Sequence, residues 1–214
     1  GLKATFGRVS EHGAAPLCWS VGHVGPMGAT ARDVAVAYAL MAGPDGADPR
    51  TLNQPPVDVS DVTDPDLADV TLGVFTAWFE HADPEVVAAC RRTLDGLKVL
   101  GARIVEIEVP HLADIRAAHL VTIVSEMAVS RNTLFDAPTQ AYGADTRLNM
   151  ALAGTLHSSD YVQAQRVRTR ALRDLERIMK DVDGIVTPTT ACTAQPIPAD
   201  GLRGESNLAL TDRI

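Results

Sequence analysis

The sequence predicts an α/β fold built around a mainly parallel sheet. Two apolar stretches, residues 70–75 and 103–110, have the pattern of strands, and a segment with clear helix start and stop signals lies between them. Strands joined through a helix pair in parallel, because the connection is long enough to return the chain to the same end of the sheet. A third short apolar stretch, 184–187, follows the longest predicted helix.

The central helix is predicted from its ends. Asp83 is a natural N-cap, Pro84 suits the first helical position, and Gly101 is a typical terminator. The strand that follows alternates, with Val105, Ile107 and Val109 on one side and glutamates between them. Alternation of this kind predicts a half-buried strand, which Pro110 ends.

The flanking segments differ in character. Residues 1–29 are rich in glycine and predict strands and loops threaded through a core, whereas 30–43 predict a helix. Thr30 and Asp33 have the spacing of a capping box, and the helix is apolar on nearly all faces, which predicts burial. Residues 44–69, rich in proline and aspartate, predict a linker or a surface excursion.

Further helices are expected over 113–135, 145–155 and 158–184. The last has an apolar stripe opposite a row of arginines, and such a basic face is usually solvated. Taken together, residues 1–214 are predicted to form one α/β domain, with 44–69 as its excursion.

Charge and cysteine content exclude several classes of protein. Nineteen Lys and Arg against 27 Asp and Glu give a net charge of −8, which disfavours nucleic acids and anionic membranes as partners. The longest apolar run, 34–43, is half the length of a membrane span. Three widely spaced cysteines, Cys18, Cys90 and Cys192, indicate neither a disulfide framework nor a zinc site, and favour the cytoplasm.

Searches for catalytic motifs leave few candidates. The histidines never occur at H-x-H or H-E-x-x-H spacing, so no metal site is predicted, and no G-x-S-x-G or G-x-G-x-x-G motif is present. The segment 184–190, "GIVTPTT", places Thr187, Thr189 and Thr190 beside Pro188 at the end of a predicted strand. Ligands of parallel sheets gather at the carboxyl ends of strands, so these threonines are candidate substrate-binding residues. The alternative is that their hydroxyls satisfy backbone groups of a turn.

Five motifs in register resemble the amidase signature family. They are "GLKATFGRVSEHGAAPL", "VGPMGATARDVAVAYALMAG", "LGARIVEIEVP", "SSDYVQAQRVRTRALRD" and "DVDGIVTPTTACTAQPIP". The resemblance spans nearly the whole chain, and the segments "AWFEHADPEV" and "EVPHLADIRAAH" are similar to the fatty acid amide hydrolase-like branch. Gly22 departs from the Asp of many other amidases, which weakens any transfer from the glutamine-dependent transamidases.

The resemblance implies a serine amidohydrolase that acts on lipophilic acyl amides without metal or organic cofactor. In this family three catalytic residues precede the G-L-K strand: the catalytic Lys, the cis-Ser and the nucleophilic Ser of a Gly-Gly-Ser motif. The resemblance therefore implies that residues 1–214 contain no catalytic residue. Lys3 belongs to the G-L-K strand, and we assign it a structural role. A noncatalytic α/β binding module on the same scaffold is the alternative.

The family pattern also implies a mixed sheet covered by helices on both faces and left incomplete at both ends of this chain. Bare sheet edges and exposed apolar surface favour association, so we expect the chain to self-associate. In the parent protein we also expect it to help bind a small amide substrate.

Overall fold

The structure is a computed structural model that describes residues 1–63, 66–134 and 141–194. Contacts divide the chain into two compact units. The first unit comprises Gly1–Pro65 and Val129–Phe135, and the second comprises Asp66–Ala128 and Asp136–Ile214.

The first unit contains helix α1, Ala31–Met41, which begins at the predicted capping box. The Thr30 hydroxyl oxygen accepts from the backbone N–H of Asp33 at 3.1 Å, and the Asp33 carboxylate accepts from the backbone N–H of Thr30 at 3.2 Å. These two bonds satisfy N–H groups that a helix otherwise leaves without partners.

Two expectations for the first unit are wrong. Helix α1 is not buried: Val34 is its one buried residue, and Leu40 is 83% exposed. A helix that is apolar on all sides is buried only where other parts of the protein pack against every side. In this unit, the side of α1 that carries Val34 is the one that is buried. Residues 1–29 form loops instead of strands, with one isolated bridge between Val9 and Ala42.

The described part of the excursion 44–69 has no helix or strand, but it is anchored. Asp48 is only 4% exposed and forms an ion pair with Arg50 at 3.0 Å. Arg50 forms a second ion pair with Glu11 at 3.0 Å, and its guanidinium lies 4.4 Å from the centre of the Trp19 ring. Hydrogen bonds from Arg50 and from the backbone N–H of Glu11 hold the pKa of Asp48 well below its usual range. The first part of this excursion is therefore a fixed loop.

The second unit confirms the predicted β–α–β arrangement. Its elements in order are strand β1 (Thr71–Val74), helix α2 (Thr76–Phe79), helix α3 (Pro84–Val99) and strand β2 (Arg103–Glu106). Strands β1 and β2 are parallel, with Leu72 opposite Ile104, and strand β3 (Gly184–Ile185) is parallel to β1 on its other side. The described sheet thus has the order β2-β1-β3.

The hydrophobic core of this unit lies between the sheet and α3. Val74, Phe79 and Leu94 are buried, and partly buried apolar side chains from α3, β2 and the end of β3 pack against them. Gly73 is required on the other side of β1, because a Cβ there would lie 2.9 Å from Ile107.

Three longer helices complete the described chain: α4 (Leu112–Leu134), α5 (Ala144–Ala153) and α6 (Ser158–Ile178). Polar contacts join α4 to α6, with the Tyr161 hydroxyl donating to Glu126 at 2.8 Å and the Gln165 amide donating to Thr122 at 3.0 Å. Helix α6 ends six residues earlier than predicted, because the chain must turn before β3. Across the described residues, no helix combines the length and the apolarity that crossing a bilayer requires.

Candidate functional site

A cavity of about 300 Å³ lies in the second unit, at the edge of the sheet where all three parallel strands end. Its larger apolar side chains are Phe75, Trp78, Leu112 and Pro188, and alanines fill the space between them. Its polar side chains are His81, Arg116, Thr189 and Thr190. The described lining therefore contains two basic residues and no carboxylate.

Strand β1 and helix α2 form the first wall of the cavity. The chain leaves β1 at Phe75 and turns at once into α2, which carries Trp78. The carboxylate of Glu106, the last residue of β2, fixes this turn by accepting the backbone N–H of Thr76 at 2.9 Å and its hydroxyl at 2.5 Å. These donors lower the pKa of Glu106.

The turn after β3 forms the second wall. The carbonyl of Ala191 accepts the backbone N–H of Asp83 at 2.7 Å, so the turn is fastened to the start of α3. The hydroxyl of Thr193 adds a 3.3 Å bond to Glu85, and Pro188 is buried beneath the turn. The last bond from this strand to β1 is donated by the backbone N–H of Val186 to the carbonyl of Gly73 at 2.9 Å. Pro188, two residues further on, has no N–H with which to extend the pairing.

The start of α4 forms the third wall. His111 has φ +59°, a left-handed conformation that non-glycine residues rarely adopt, and the chain then enters α4 so that Leu112 and Arg116 line the cavity. The carboxylate of Asp114, in the first turn of the helix, lies 4.0 Å from the His111 ring and 3.9 Å from Arg170.

Two of the three candidate threonines line the cavity. Thr189 and Thr190 belong to its lining, whereas Thr187 does not, and all three residues are exposed. The hydroxyl of Thr190 donates to the carbonyl of Cys192 at 2.9 Å, so this hydroxyl is used within the turn, as the structural alternative expects. A substrate-binding role for these threonines stays a prediction.

Sequence reasoning missed helix α2 and with it Trp78. A signal was present, because Phe75 ends a predicted strand and Trp78 comes three residues later, in a chain with only 4% aromatic residues. It also missed Arg116, whose place near the start of a predicted helix gave no sign that it would face a cavity. His81 was treated as an ordinary surface residue, and it is indeed exposed at the cavity rim.

The chemistry of this lining is that of binding. An apolar concavity with a few polar groups is typical of small-molecule sites, and the described lining contains no Ser or Cys that could act as a nucleophile. Groups of His, Cys, Asp and Glu arranged to hold a metal ion are also absent from the part of the chain that the structure describes.

The fold is α/β, and the cavity lies at the carboxyl edge of its parallel sheet, where sheets of this kind commonly bind small molecules. The family model described as Amidase matches residues 1–210, and the chain belongs to that family. The predicted α/β fold of the amidase signature type is thereby confirmed.

Curated relatives include a fatty acid amide hydrolase of Oryza sativa subsp. indica, which is 36% identical over 99% of this chain. An amidase of Pseudomonas putida is 36% identical over 93% of the chain. The chain spans 36% of the length of the rice protein and 42% of that of the bacterial one.

Solved structures agree on the fold. One of them is an inhibitor-bound chain from a vestigial protein complex, which is linked to the evolutionary origins of an s-triazine catabolic enzyme. It has a TM-score of 0.82 and 27% identity to this chain, and the match covers 99% of this chain and 47% of that one. A glutamyl-tRNA(Gln) amidotransferase subunit of Thermotoga maritima has a TM-score of 0.79 at 23% identity, over 98% of this chain and 45% of that one, which supports the fold alone.

Proposed function

We propose that this chain is part of a serine amidohydrolase that hydrolyses carboxylic amides, with lipophilic acyl amides as substrates, in the cytoplasm. The observation that carries the proposal is the apolar cavity at the carboxyl edge of the sheet, lined by Phe75, Trp78 and Leu112. Membership of the Amidase family and the identity to fatty acid amide hydrolases support the same reaction and substrate class.

In this proposal the chain contributes binding and positioning. The nucleophilic Ser, the cis-Ser and the catalytic Lys of the family lie outside residues 1–214, and the neutral Lys draws a proton through the cis-Ser as the nucleophile attacks the amide carbonyl. The cavity holds part of the acyl group, and restricting that group places the carbonyl for attack. The fastening of the α2 turn by Glu106 keeps Trp78 in place within the wall.

The test is a substrate screen on a longer protein that contains this chain together with the Gly-Gly-Ser nucleophile. We expect long- and medium-chain acyl ethanolamides to be hydrolysed with higher kcat/KM than acetamide or propanamide. Replacing the nucleophilic Ser with Ala is the control for contaminating activity. Absence of hydrolysis for every amide, with the protein folded, would refute the proposal.

A noncatalytic binding module on the same scaffold is the second candidate, favoured by a described cavity lining without a nucleophile. It predicts that the longer protein binds acyl amides without releasing the amine. Measuring binding and amine release on the same sample separates the two functions.

A further inference from the structure

The charged groups of the cavity indicate the ligand that it takes. Arg116 and His81 are its basic residues, and no carboxylate is among its described lining residues. The remaining lining is mostly apolar, with Trp78 and Phe75 as the largest groups. A cavity built in this way complements a molecule with an apolar body and a negatively charged end.

Arg116, in the second turn of α4, is the residue of the lining whose guanidinium suits such an end. Arg116 takes part in an interaction within the fold. A guanidinium has five N–H donors in a planar fork, and the fork matches the two oxygens of a carboxylate. The first residues of the 23-residue helix α4, Leu112 and Ala113, line the same cavity, and the start of a long helix carries a partial positive charge.

The protein as a whole repels anions, since its net charge is −8. An anion that binds at this cavity is therefore held by local groups and gains nothing from long-range attraction. Asp114, the carboxylate in the first turn of α4, faces His111 and Arg170 and is not part of the lining.

The cavity volume limits the size of the ligand. Divided by the roughly 30 Å³ that a water molecule occupies in the liquid, a volume of about 300 Å³ holds about ten non-hydrogen atoms. Octanoate has this size. A longer acyl chain would leave part of its length outside the cavity.

We propose that the cavity binds an apolar chain of about eight carbons that ends in a carboxylate, with Arg116 as the residue that selects the charged end. Two sources supply this chemistry: the fatty acid that amide hydrolysis releases, and an amide substrate whose amine part carries a carboxylate, as in an acylated amino acid. The inference names the ligand of the site on which the proposed function rests.

Binding is measured by titration calorimetry of the 214-residue chain with matched ligands. Octanoate and octanamide have the same size and differ in charge, so we expect octanoate to bind about tenfold more tightly, as one charge-assisted contact provides. From butanoate to octanoate the affinity should rise about fourfold for each added methylene, and it should level off beyond octanoate. N-hexanoylglycine, compared with neutral N-hexanoylethanolamine, distinguishes a substrate carboxylate from a released acid.

Variants test the role of Arg116. Arg116→Gln should lower octanoate affinity to the level of octanamide while leaving octanamide binding unchanged, which also shows that the variant is folded. Arg116→Lys should retain part of the preference. Arg92→Gln, the same change at an exposed residue of α3 outside the cavity, is the matched control.

Equal affinities for octanoate and octanamide would overturn the inference, as would an unchanged octanoate preference in Arg116→Gln. Because the measurement is binding and not turnover, its failure leaves the amidase screen untouched. A failed screen likewise leaves the ligand preference to be judged by itself.

Discussion

Replacing Thr190 with Leu tests the placement of the turn after β3 in the lining of the cavity. The substitution enlarges the side chain by one non-hydrogen atom, which takes about one tenth of a cavity that holds about ten such atoms. The preferred acyl chain should therefore shorten by about one carbon. Because a buried methylene contributes roughly 0.8 kcal/mol, the preference between neighbouring chain lengths should change by about 1 kcal/mol, which lies within the range for pockets that gain or lose a small group.

The same substitution also removes a hydrogen bond, since the Thr190 hydroxyl donates to the carbonyl of Cys192. That loss should cost about 0.5–1.5 kcal/mol of folding stability. Thr190→Val separates the two effects, because it removes the hydroxyl while keeping the size of the side chain. Thr187→Leu is the matched control, since Thr187 is as exposed as Thr190 but lies outside the cavity lining.

The assay is kcat/KM for amides of increasing acyl length, measured in a protein that contains this chain together with the nucleophile of the proposed function. Thermal unfolding of the same variants gives the stability change. An unchanged acyl preference in Thr190→Leu, together with a lowered unfolding temperature in both Thr190 variants, would show that the threonines only satisfy the turn. The reasoning about the cavity would then be refuted.

Three further outcomes are expected. Glu106→Gln should destabilise the protein at pH 7, because hydrogen bonds from Thr76 lower the pKa of Glu106 below its ordinary 4.5. The difference in urea midpoint between the variant and the wild type should therefore disappear as the pH falls through the folded-state pKa of Glu106. A difference that stays constant with pH would contradict this role. The 214-residue chain should form dimers or larger species, because exposed apolar side chains favour association, and Leu40 and Met27 are 83% and 88% exposed. If light scattering shows a monodisperse monomer and the chain binds no hydrophobic dye, this expectation is wrong. A fluorophosphonate serine probe should not label the chain, and a stoichiometric adduct on any of its serines would show that a nucleophile had been overlooked.

The sequence by itself determined the local elements of the second unit. Pro84 and Gly101 located α3 at Pro84–Val99, although the Asp83 side chain makes no capping hydrogen bond. Period-two alternation located the start of β2, which ends at Glu106, four residues before the predicted end at Pro110. These signals are local, because capping groups and alternating side chains act within a few residues along the chain. The capping box of α1 was predicted for the same reason. The family also followed from the sequence, through motifs that recur in order over the chain.

Tertiary structure decided what the local signals could not. The burial of α1 depended on which of its sides the unit covers, and a helix that is apolar all round does not indicate a side. Helix α2 is too short for any periodicity, and its position depends on Glu106, 30 residues away in sequence. The cavity brings together Trp78, Arg116 and Thr190 from three separate segments, and no spacing in the sequence encodes that meeting. Parallel pairing caused it, because the carboxyl ends of the strands, wherever they fall in the chain, emerge at one edge of the sheet.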